Sequence, residues 1–139
     1  MSNVSKIVDV PVKMEKFFGK GKMLHPSIND IEELVKTIPK GFVATIDTIG
    51  KLLANDFGTD VACPMRTGNG IKKIADRYLN QDVDYNIPFW RVVRSNNLVV
   101  KSKNYELSAS QIEGEGFSLE YTKSEAIKVI FKEDKLFTF

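Results

Sequence analysis

Between Gly70 and Asn80, Ile71, Ile74, Ala75, Tyr78 and Leu79 fall at i, i+3, i+4, i+7 and i+8. That spacing draws one apolar stripe along an α-helix and does not fit the two-residue period of a strand. The opposite face carries Asn69, Lys73, Arg77 and Asn80, with Lys72 just beside it and Asp76 diluting it. A helix divided this way must lay its stripe on a core and turn a basic face to solvent or to an anion. The rest of the fold is therefore read around a helix over 70–80.

Upstream, Ile28, Ile31, Leu34, Val35 and Ile38 share one face of an earlier helix, with Ser27 or Asn29 as its cap and Pro39-Lys40-Gly41 as its end. Phe42 to Ile46 is a short strand-like connection, and Asp47 is the expected cap of a second helix that buries Ile49, Leu52 and Leu53. Asn55 to Gly68, rich in Gly, Thr, Asp and Pro, reads as a loop. Ile7 to Met14, with Pro11, reads as an edge strand or an extended arm. Gly19-Lys20-Gly21-Lys22 is a link with too few lysines for a phosphate loop. Downstream, 81–86 is a polar loop, and Val92-Val93 with Leu98-Val99-Val100 predicts a hairpin or wing around Ser95-Asn96-Asn97. Ser108 and Gln111 form a capping-box pattern for a short helix ending near Gly114. The tail reads as two strands, Val129 to Phe131 and Leu136 to Phe139. The expected class is α+β: a mainly helical, winged-helix-like domain with short β hairpins.

At 139 residues the chain suits one domain with a sizeable core. Its single cysteine, Cys63, excludes an internal disulfide, and its single histidine, His25, excludes a His-cluster metal site. No apolar run approaches the length of a membrane span, and the N-terminus lacks the apolar core of a secretory signal. A soluble, cytoplasmic chain without cofactor or metal is the expectation, with a monomer favoured. Charge is uneven along it. Residues 1–62 are net neutral and residues 104–139 net −3, whereas 63–103 carry eight basic against three acidic side chains, net +5. The middle third is either a solvated surface or a polyanion footprint.

Three segments in order resemble the DNA-binding domain of the O6-alkylguanine-DNA alkyltransferases. Ile38-Pro39-Lys40-Gly41-Phe42-Val43-Ala44-Thr45 is similar to the family's Ile-Pro-x-Gly-x-Val-x-Thr. The helix from Gly70 to Asn80 lies where the family keeps its recognition helix. Ile87-Pro88-Phe89-Trp90-Arg91-Val92-Val93 is similar to Ile-Pro-Cys-His-Arg-Val-Val, and Glu113-Gly114-Glu115-Gly116 lies near the family's terminal Glu-Gly. The resemblance covers 27–119, leaving 1–26 as an N-terminal arm or edge strand and 120–139 as a C-terminal β extension packed on the same domain.

The departures decide the chemistry. Phe89 stands in place of the nucleophilic cysteine and Trp90 in place of the activating histidine. A phenyl ring accepts no alkyl group and an indole generates no thiolate, so alkyl transfer by the family's route is excluded. Ile46 takes the place of a tyrosine that helps rotate the target nucleotide. Lys72, or Ile71 or Lys73 after a one-residue shift, takes that of an arginine inserted into the base stack. A lysine is a point charge where the guanidinium is a plane. The alkyltransferase-like proteins replace the same cysteine, often by Trp. Cys63-Pro64-Met65-Arg66-Thr67-Gly68 and Pro88-Phe89-Trp90-Arg91 also resemble motifs in a set of small proteins of the same superfamily.

The resemblance implies non-enzymatic binding of double-stranded DNA, at alkylated or distorted bases, with a repair protein as a further partner. The expected DNA-binding residues are Thr45, Arg66, Thr67, Gly68, Asn69, Lys72, Lys73, Arg77, Arg94, Lys101 and Lys103. Thr67 to Gly70 is also the expected helix start, with free N–H groups for a phosphate. The expected base pocket is Ile46, Pro88, Phe89, Trp90 and Arg91, against packing of both rings in the core and a buttressing role for Arg91. Two other classes stand beside this one: a protein-interaction module that kept the fold and lost the DNA, and an enzyme using Cys63 with His25 as its base.

Overall fold

The structure, a computed structural model, describes residues 4–79, 87–101, 105–123 and 126–137. Asn80, Lys103, loop 81–86 and the last two residues of the expected final strand lie outside the described residues. Among the described residues no helix is long and apolar enough to cross a membrane.

Three helices build the main core. Helix α2 (Ile28–Val35) starts at Ser27, whose hydroxyl accepts from the Asp30 N–H at 3.1 Å, and it buries Ile28, Ile31 and Val35. Helix α3 (Ile46–Phe57) is capped by Thr45, not by the expected Asp47. The Thr45 hydroxyl accepts from the Thr48 N–H at 3.2 Å, while Asp47 sits in the first turn, where its charge suits the helix dipole. Helix α4 (Pro64–Leu79) contains the expected stripe, with Ile71, Ile74 and Ala75 buried, but begins six residues before Gly70. Four-residue α1 (Glu15–Phe18) and α5 (Tyr105–Gly114) complete the set. Helix α5 begins before Ser108, which is therefore a buried mid-helix residue and not a cap.

The early start of α4 corrects the loop reading of 55–68. Phe57 still belongs to α3, Val61–Ala62 forms strand β4, and Pro64 takes a first-turn position that needs no N–H. Thr67 and the glycines argue locally against a helix. Packing overrides them: Thr67 is fully buried, and its hydroxyl donates to the Cys63 carbonyl at 2.9 Å. A Cβ on Gly70 would meet the Ile31 side chain at 2.3 Å, so glycine is what allows α4 to lie against α2.

The arm is a strand. β1 (Lys6–Asp9) pairs antiparallel with β2 (Lys22–His25), a strand absent from the sequence reading, and β2 pairs parallel with β4. β3 (Ala44–Thr45) pairs parallel with β5 (Val92–Val93). The first tail strand also needs correction. β7 (Ile127–Ile130) pairs antiparallel with β6 (Ser118–Tyr121), and Leu136 makes only a single bridge, to Val43. Further bridges join Val93 to Val99 and Leu98 to Lys128. A mixed ladder thus runs from Leu136 through β3, β5, the Leu98–Val99 segment and β7 to β6. It covers a second core containing Val43, Val93, Ile112, Phe117 and Val129. Trp90 packs against both cores and lies at their seam.

Candidate nucleic-acid interface

The segments that carried the resemblance meet at one carboxylate. Trp90 donates its indole N–H to Glu115 Oε2 at 2.5 Å, and Arg91 Nε donates to Oε1 and Oε2 at 3.0 and 3.1 Å. The Gly41 N–H donates to Oε1 at 3.3 Å, and an Arg91 terminal nitrogen donates to the Ile38 carbonyl at 2.8 Å. The Glu115 side chain is 7% exposed and that of Arg91 16% exposed, so this pair is largely removed from water. Burial works to raise the Glu115 pKa. The hydrogen bonds from Arg91, Trp90 and Gly41 outweigh it and hold the carboxyl below its ordinary value. Arg91 is thus a buttress, tying the turn after Pro88 to the end of α5 and to the residues after α2.

Phe89 does not open a base pocket. It is 2% exposed and packs edge-on to Tyr78 and Trp90 with ring centroids 5.2 Å away in each case. Pro88 is buried as well. The cavity touching Phe89 holds only about 10 Å³, too little for a base. Phe89, Trp90 and Tyr78 form one edge-to-face aromatic cluster that fills this space. Pro88, Phe89, Trp90 and Arg91 here form a packed and hydrogen-bonded seam, the arrangement given above as the alternative to a base pocket. Ile46, of the five residues assigned to that pocket, lines an open groove.

That groove lies between α4 and the Val93–Val99 hairpin and holds about 310 Å³. Ile46, Pro64, Met65 and Val100 supply apolar walls, Gly68 gives room at the helix, and Asn69, Lys72, Arg94 and Lys101 supply polar rims. Met65, Asn69 and Lys72 line it because they fall at i, i+4 and i+7 on α4. Lys72, Arg94 and Lys101 are exposed and have no ion-pair partner among the described residues, although Lys101 lies 6.0 Å above the Tyr105 ring. Met65, 73% exposed, has no place in a loop reading of 55–68. Continuing the helical period back to Pro64 would have found it.

The remaining expected contacts divide. Arg66, Lys73 and Arg77, at i, i+7 and i+11, occupy the other exposed edge of α4. Arg77 is bound to Glu32 of α2 at 2.7 Å and braces the two helices. Thr67 is corrected from phosphate contact to buried hydroxyl, and residues 67–69 lie inside α4 rather than at its free N–H groups. Thr45 uses its hydroxyl as a cap. Cys63 is 7% exposed and shares a small core with Val10 and Met23, which is the environment of a structural thiol.

No protein-family model and no curated protein matches the chain. Two solved structures from S. pombe do match in fold. One is Atl1 in complex with damaged DNA containing O6-carboxymethylguanine, at 17% identity and a TM-score of 0.57. The other is the alkyltransferase-like protein in complex with DNA, at 19% identity and a TM-score of 0.59. Each match covers 80% of this chain and 94% of the other. The α+β fold is therefore that of the alkyltransferase-like proteins.

Proposed function

We propose that this chain binds duplex DNA through α4 and the Val93–Val99 hairpin, and takes a modified or displaced base into the groove between them without forming a bond to it. The observation that carries this reading is the groove itself. Apolar walls at Ile46 and Met65 face the base, while Lys72, Arg94 and Lys101 stand on the rim where phosphates would pass. Its volume lies near the lower end of the range for small-molecule sites. The shared fold supports the reading, because both similar structures hold DNA. Binding without chemistry follows from the side chains at the family's reactive positions, a phenyl ring and an indole N–H already committed to Glu115.

Fluorescence anisotropy with plain and O6-methylguanine duplexes at two salt concentrations tests this. The native chain is expected to prefer the modified duplex. Lys72→Ala and Arg94→Ala should each lower affinity about fivefold near physiological salt, as loss of one phosphate contact predicts. Cys63→Ser should leave binding unchanged. Equal affinity for both duplexes would remove base recognition, and no binding at low salt would overturn the whole reading. A second reading, protein contact, is favoured by Val4, Ile7, Val12 and Phe17, all exposed on the N-terminal segment. Partner binding indifferent to salt would be its signature.

A further inference from the structure

A cationic cluster outside the groove is left without a role. The β1–β2 register sets Lys6 directly across from His25, so the two side chains share one face of the sheet. β2 runs parallel to β4, α4 begins two residues after β4 ends, and Arg66 in its first turn is near enough for its charge to act on His25, as that of Lys6 does. Lys6 and Arg66 are exposed and His25 half-buried. Among the described residues none of the three is in an ion pair. Asp30, the acid at the start of α2, accepts from the hydroxyls of Ser5 and Ser27 instead. Cys63 ends the neighbouring strand, and its buried thiol offers no counter-charge. Two cationic side chains therefore flank an imidazole, with the Asp30 carboxylate beside them held by hydroxyls rather than by an ion pair, and a bound anion is what would favour charge on all three.

Resting on the DNA-binding reading, we propose that Lys6, His25 and Arg66 form a second phosphate-binding cluster that takes a backbone phosphate of the duplex and charges His25 as it does so. The placement fits. Arg66 and Lys73, two helical turns apart on the edge of α4 away from the groove, continue the cluster along the helix. A helix lying in a DNA groove offers one edge to each strand, so Lys72 and Arg94 would meet one backbone and this line the other. In the free protein, burial, then Arg66 and Lys6, lower the His25 pKa, so the imidazole is neutral at neutral pH. A phosphate seated among the three favours the imidazolium. Binding takes up a proton and strengthens as pH falls.

The chain's single histidine makes the experiment clean. Anisotropy with one plain duplex would be followed from about pH 5.5 to 8, across the ordinary titration range of histidine; phosphodiesters keep their charge throughout. Native affinity is expected to rise toward acid, and His25→Gln to flatten the profile. Lys6→Gln, on an exposed edge strand that tolerates the change, should cost about fivefold near physiological salt and reduce the salt slope by about 0.9. Inorganic phosphate, titrated alone while the His25 ring proton is followed by NMR, separates the two sources of phosphate. A saturable shift with duplex affinity untouched by Lys6→Gln would mean a free-anion site and overturn the proposal. Duplex binding that is flat with pH and indifferent to Lys6→Gln would overturn it alone, leaving the groove reading intact. No duplex binding at all would overturn both.

Discussion

Glu115 accepts four hydrogen bonds from two segments that lie far from it in sequence, Gly41 and Trp90-Arg91. Replacing it by Gln would leave the Arg91 guanidinium buried without its counter-charge. The expected loss is about 3 kcal/mol at neutral pH, measured by chemical denaturation. Its pH dependence has a definite sign. Because the carboxyl is held below its ordinary value in the folded chain, its contribution is complete above the unfolded-state pKa. It is lost as pH falls through the folded value. The gap between native and Glu115→Gln should therefore narrow in acid; a gap that stayed constant would mean the loss comes from packing. At this scale the sequence was partly legible. The expectation that Phe89 and Trp90 stand in place of a reactive pair came from the resemblance of residues 87–93 to the alkyltransferase motif. Core packing of Phe89 and a buttressing Arg91 stood as alternatives in the sequence, and choosing them needed the partners that arrive from elsewhere: Tyr78 for the ring, Glu115 and Ile38 for the guanidinium.

Elements were legible where the apolar period was long. Ile28, Ile31 and Val35 of α2 and Ile71, Ile74 and Ala75 of α4 are in the core as expected, since a helix face of that width has only one way to leave water. The start of α4 was not legible, because Gly68 and Gly70 weaken the local signal and the close approach to α2 restores it. Two glycines separate these effects. A Cβ on Gly50, inside α3, would make an ordinary 3.8 Å contact with Ala62, whereas one on Gly70 meets the fully buried Ile31. Gly50→Ala is expected to stabilise the fold by about 0.5–1 kcal/mol through helix propensity. Gly70→Ala gains the same propensity but overpacks the α2–α4 contact, and a net loss of about 1 kcal/mol is expected. Thermal denaturation of the pair decides it, and equal shifts of the same sign would refute the close-packing account.

For the whole molecule, the C-terminal segment is structural support for the hairpin that borders the groove. The Val99 N–H donates to the Ile127 carbonyl at 2.8 Å and the Val129 N–H to the Asn97 carbonyl at 2.9 Å. Val129, 1% exposed, anchors β7 in the second core. Val129→Ala should cost about 2 kcal/mol and speed hydrogen exchange at the Val99 amide. Weaker duplex binding should accompany it, since Arg94 rides on the hairpin. Unchanged exchange at Val99 would mean that the hairpin stands without the tail.

The sequence by itself determined what local chemistry can determine. It set the helices with long stripes, the basic middle third and the α+β class. These depend on side-chain type and on spacing within one segment. The tertiary structure decided everything that needs two distant segments to meet. It packed Phe89 and Trp90 into a seam and opened a groove at Ile46 and Met65. It sorted the cations of α4 to its two edges, spent Arg77 on Glu32, and brought Lys6 and His25 to Arg66. The physical reason is that burial and hydrogen bonding belong to pairs of residues. Which pairs form depends on how the whole chain packs.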